Sequence, residues 1–106
     1  MSWNRSEKLA ILKSLALIVT ADNETAPAEA TFLAKFLHMF DMSPSEIQAA
    51  RQMSDEEMCR ILSNFTTTEK EAVKAFWIEA AKADGKVLDS EMKMIANLSV
   101  FSKIDF

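Results

Sequence analysis

The chain's only glycine, Gly85, sits where an apolar run gives way to an acidic helix start: Ala80-Ala81-Lys82-Ala83-Asp84-Gly85-Lys86-Val87-Leu88-Asp89-Ser90-Glu91. Glycine takes left-handed backbone angles at little cost, which suits the position just past a helix C-terminus. A glutamate in the first turn of the following helix is favoured by the free backbone amides there. The stretch therefore reads as helix, short turn, helix. A looser copy, Val19-Thr20-Ala21-Asp22-Asn23-Glu24-Thr25-Ala26-Pro27-Ala28-Glu29, places Asp22 62 positions before Asp84. Asn23 replaces the glycine and is the next-best residue for that geometry. In both copies a Glu follows the Asp by seven residues, and Phe32, Leu33 and Phe36 align with Met94, Ile95 and Leu98. Matching punctuation and matching apolar rhythm imply a structural repeat.

One glycine, two prolines and no tyrosine in 106 residues leave few breakers for tight hairpins and suit helices joined by short turns. The length fits one domain spanning residues 1–106. The balance of 49% apolar and 26% charged residues is that of a soluble globular chain able to bury a core without metal or disulfide. Cys59 is alone, which excludes an internal disulfide and fits a reducing, cytoplasmic setting. A formal charge of −4 with scattered cations and no basic face argues against nucleic acid. The apolar run Leu9–Val19 is interrupted by Lys13, is followed by a poor small-residue cleavage pattern at Thr20-Ala21-Asp22, and is too short for a transmembrane span. It reads as a buried first helix.

Apolar spacing and capping signals predict an all-α bundle of six to seven short helices. The first runs from near Ser6 to Thr20, apolar on several sides, with Lys13 snorkelling. Pro27 opens the second, whose stripe is Phe32, Leu33, Phe36, Leu37 and Phe40. His38, the only histidine, stands between stripe positions in a structural or exposed place. Ser43-Pro44-Ser45-Glu46 reads as a capping box for a third helix with Ile47, Ala50 and Met53 inward. Ser54-Asp55-Glu56-Glu57 caps a fourth carrying Met58, Ile61 and Leu62, with Phe65 behind it. Helix-end electrostatics account for Glu46, Asp55, Glu56 and Glu57 without a metal. Thr68-Glu69-Lys70-Glu71 caps a fifth running to about Ala83, with Val73, Phe76, Trp77, Ala80 and Ala81 inward and the Trp77 indole N–H requiring an acceptor. The last helix opens near Leu88 or Asp89 and presents Met92, Ile95, Ala96 and Leu98 to the core. Val100, Phe101, Ile104 and Phe106 follow in a terminal turn that packs down or meets a partner.

The acids of the repeat admit two readings. A glutamate at the third helical position ordinarily bonds the N-cap amide, and an aspartate at a helix end accepts from the next turn. Alternatively, if the two hairpins face each other, Asp22, Glu29, Asp84 and Glu91 would converge, with Glu24 and Asp89 nearby. Such carboxylates repel unless one is protonated or a hard cation such as Ca²⁺ or Mg²⁺ enters. An EF-hand is excluded because Val87 and Leu88 stand where that loop needs oxygen donors. Zinc is disfavoured with one cysteine and one histidine.

The Ala83-Asp84-Gly85-Lys86-Val87 stretch with Glu91, and its looser counterpart Ala21-Asp22-Asn23-Glu24 with Glu29, resemble the TerB-like superfamily of bacterial tellurite-resistance proteins and DjlA-type co-chaperone domains. The resemblance implies a helical fold with pseudo-twofold hairpins and an acidic patch that binds divalent cations, carried here by Asp22, Glu29, Asp84 and Glu91. The reading is thus an interaction or scaffolding module with a protein partner, regulation by a divalent cation, no nucleic acid and no membrane span. The competing class is a metal-dependent hydrolase using the same acids, for which the sequence offers no visible nucleophile, phosphate cradle or adjacent histidine.

Overall fold

In the computed structural model, residues 2–20, 27–82 and 89–105 are described, except the side chains of residues 27–30. Six helices occur among them: α1 (Arg5–Val19), α2 (Pro27–Met39), α3 (Glu46–Gln52), α4 (Asp55–Ser63), α5 (Thr67–Ala81) and α6 (Asp89–Ser102). The described residues contain no strand, as the absence of two-residue alternation predicts. The turns of the expected twofold hairpins, residues 21–26 and 83–88, lie outside the described residues.

α1 is the hub and touches every other helix. Leu9 through Ala16 are all buried, followed by Ile18 and Val19, so every side of this helix is covered. The all-round apolar surface of its sequence demands that position. α2 contributes Phe32, Leu33, Phe36, Leu37 and Phe40, all buried. The Phe36 ring lies tilted at 4.9 Å from Phe32 and edge-on at 4.9 Å from Phe76, arrangements that favour aromatic quadrupoles. Phe76 itself is only half-buried. α4 buries Met58 and Leu62 and turns Asp55, Glu56, Glu57 and Arg60 outward.

Two buried polar groups sit on α1. The Trp77 indole donates to Ser14 Oγ at 2.9 Å, and that hydroxyl donates to the Ile11 carbonyl at 2.7 Å. The indole thus finds the acceptor that its sequence position requires. Lys13 threads its stem through the core, with 8% of the residue exposed, and brings Nζ to Asp55 Oδ1 at 3.3 Å. Asp55 is largely solvated, so this is a snorkelling cation meeting a surface carboxylate rather than a buried ion pair.

Helix ends differ from expectation in three places. α1 starts one residue early because Asn4 and Glu7 form a reciprocal capping box. α3 begins at Glu46, not Pro44; Ser45 is its N-cap without a side-chain bond, and Ser43 instead bonds the Ser45 hydroxyl. A tight turn, with Glu46 N–H on the Ser43 carbonyl, replaces the expected box. α5 is boxed by Thr66 and Glu69 rather than Thr68 and Glu71, which adds helical residues at no loss of capping chemistry. Ser54 caps α4 as expected by accepting from Glu57 N–H.

Just beyond the ends of α2 and α6 stands a non-glycine residue with positive φ, Asp41 and Lys103, each at 56°. The Met42 N–H reaches back to the Leu37 carbonyl and the Ile104 N–H to that of Ser99, the six-to-one bond of a Schellman end. Each terminus is also plugged from elsewhere: Lys8 Nζ donates to the Phe40 carbonyl at 2.8 Å and Lys70 Nζ to that of Lys103 at 3.0 Å.

Candidate functional site

α5 and α6 run antiparallel, with Lys70 near the start of α5 bonding the end of α6. The inward face of α5 is Val73, Trp77, Ala80 and Ala81; that of α6 is Glu91, Ile95, Leu98 and Ser102. Small alanines on this seam leave an open groove of about 700 Å³ lined by Ile78, Ala81, Met92, Ile95, Ala96 and Val100. Lys82 stands at the end where α5 finishes and Asp105 at the end where α6 finishes. The Ser99 hydroxyl also lines the groove but donates to the Ile104 carbonyl.

This groove corrects the expected orientation of α6. Met92 and Ala96 do not join Ile95 and Leu98 in the core: Met92 is 49% exposed and Ala96 is exposed. With Val100, 73% exposed, they form a second apolar stripe along α6. Its four-residue spacing runs beside the buried stripe, and a helix apolar on two sides needs cover on both. The terminal turn also divides. Ile104 packs down completely, whereas Phe101 is 68% exposed and lines a shallow hollow beside Asp55, Glu56, Cys59 and Arg60 of α4. The sequence carried a signal for the groove in the doubled stripe itself.

Of the four acids proposed to bind a cation, Asp22 and Asp84 lie outside the described residues, as does Glu24. Glu29 lies in α2, with its side chain outside the description. Glu91 lies in the first turn of α6 and is 5% exposed; Asp89, two positions earlier, is exposed. No group of three or more His, Cys, Asp or Glu side chains placed to hold a metal occurs among the described residues. Three of the four α3 and α4 acids have partners: Arg5 forks onto Glu46 at 3.0 and 3.3 Å, Asp55 meets Lys13 at 3.3 Å, and Glu57 lies 3.7 Å from Arg60. His38 is exposed in the last turn of α2.

No helix among the described residues is long and apolar enough to cross a membrane. Comparison with protein-family models, with curated proteins and with solved structures found no match to this chain.

Proposed function

We propose that the chain is a helical interaction module that takes an apolar partner surface into the groove between α5 and α6. The observation that carries this reading is the exposure of Met92 and Val100 on either side of Ala96, with Ile78 across the groove at 42% exposure. Single exposed apolar residues are ordinary, but several around one concave seam mark a recognition surface. The lining offers no histidine or cysteine among its described residues, and the Ser99 hydroxyl is already committed. A photo-crosslinking amino acid at position 96 tests the reading in cells producing the chain. A discrete adduct is expected from position 96 and none from exposed Gln48 on α3. Absence of any adduct at position 96 would remove the proposal.

Cation regulation through Asp22, Glu29, Asp84 and Glu91 is a second reading, favoured by the equal seven-residue Asp-to-Glu spacing in the two sequence copies. The TerB-like resemblance supports the same residues. A cation that prefers the folded site raises the melting temperature by mass action. Site binding predicts that millimolar Ca²⁺ or Mg²⁺ at fixed ionic strength stabilises the wild type, with the gain largely lost in Asp84→Asn/Glu91→Gln. Helix capping alone predicts no cation-specific gain in either protein.

A further inference from the structure

We infer that the occupant of the α5–α6 groove is a second copy of this chain, packed through α6 about a twofold axis at Ala96; this rests on the interaction-module reading above. Met92 and Val100 lie four positions to either side of Ala96 on one exposed stripe. Antiparallel pairing of two such helices brings Ala96 onto Ala96 and sets each Met92 beside the Val100 of the other copy. The small residue at the crossing allows close approach, and rows at four-residue spacing interdigitate at a crossing angle of about −50°. Ile78 then flanks the incoming helix from α5.

The charges at the groove ends satisfy the same symmetry. Lys82 and Asp105 stand at opposite ends, so a twofold axis through the middle brings each Lys82 to the Asp105 of the other copy. An isologous interface requires this self-complementarity; a one-sided partner would have to supply both charges itself. An anionic bilayer is a poorer match, because a chain of net charge −4 is repelled by it.

Sedimentation equilibrium of the purified full chain, from about 1 µM to about 1 mM, decides the matter by spanning Kd values of weak and moderate dimers. The expected result is a reversible species of twice the 11.9 kDa protomer mass. Ala96→Glu places two carboxylates at the axis and is expected to leave only monomer, with an unchanged helical circular dichroism spectrum because Ala96 is exposed. Lys82→Glu is expected to weaken association about tenfold, and adding Asp105→Lys to restore it. A chain monomeric at the highest concentration overturns the dimer, as does a dimer indifferent to Ala96→Glu and to the charge exchange. If the chain is monomeric while position 96 still crosslinks to another protein, the groove reading stands with a different occupant. If neither occurs, both fall.

Discussion

The two sides of α5 are finished to different standards. Trp77 faces α1, fully buried, with its indole N–H held by a buried serine; the next residue, Ile78, looks into the open groove at 42% exposure. Between α5 and α1 the chain places a large aromatic, a β-branched residue and a matched polar pair. Between α5 and α6 it places alanines and leaves volume. A close-packed seam and an open one on a single helix separate the part of the molecule that holds the fold from the part available to meet something else.

The contrast is most easily broken from the packed side. Phe36→Ala empties a site whose ring touches Phe32, Phe40 and Phe76, and is expected to cost about 3–5 kcal/mol in urea unfolding. A loss below about 1 kcal/mol would place Phe36 outside the tightly packed region.

The two fully buried serines sharpen the comparison. Ser14→Ala removes the acceptor of the Trp77 indole and is expected to destabilise by about 1–3 kcal/mol. Ser102 on α6 is equally buried, yet its hydroxyl has no partner among the described residues. Ser102→Ala is expected to stabilise by about 1 kcal/mol, since it removes an unsatisfied group and little volume. Equal effects of the same sign in chemical denaturation would show that the two serines do not differ as their bonding does.

Smallest is the effect expected on the open side. Val100→Gln should change stability by less than about 0.5 kcal/mol, because the side chain lies mostly in water. A melting curve displaced well beyond that range would mean that Val100 supports the monomer fold and not an interface.

Much of the fold was legible because helical period and capping grammar are local. The stripe from Phe32 to Phe40, the burial of α1 and the Ser54 cap all follow from residues within two turns of each other. What was not legible depended on choices among equivalent local solutions. Thr66–Glu69 and Thr68–Glu71 obey the same box pattern, and only the longer helix distinguishes them. Met92 and Ile95 are both apolar residues three positions apart; which of the two meets the core depends on where α5 lies. The groove is a property of two helices jointly, so a reading of α6 alone filled it. The Schellman ends were also hard to read: aspartate is enriched at positive φ, which gives Asp41 a weak signal, but lysine is not, and Lys103 gives none.

A cylinder greasy on all sides has no preferred rotation about its own axis, and α1 comes close to that condition. Lys13 and Ser14 remove the degeneracy. They are successive, hence about 100° apart around the helix. One must send its ammonium toward Asp55 and the Arg51 carbonyl, and the other must meet the Trp77 indole. Turning α1 by a single residue would strand a cation in hydrocarbon and take an acceptor from an indole at the same moment. The pair works as a key with two teeth, admitting one angular setting of the central helix among many that would bury similar apolar area. Replacing both by leucine and alanine would preserve the greasy cylinder while losing the marks that tell its neighbours which way it faces.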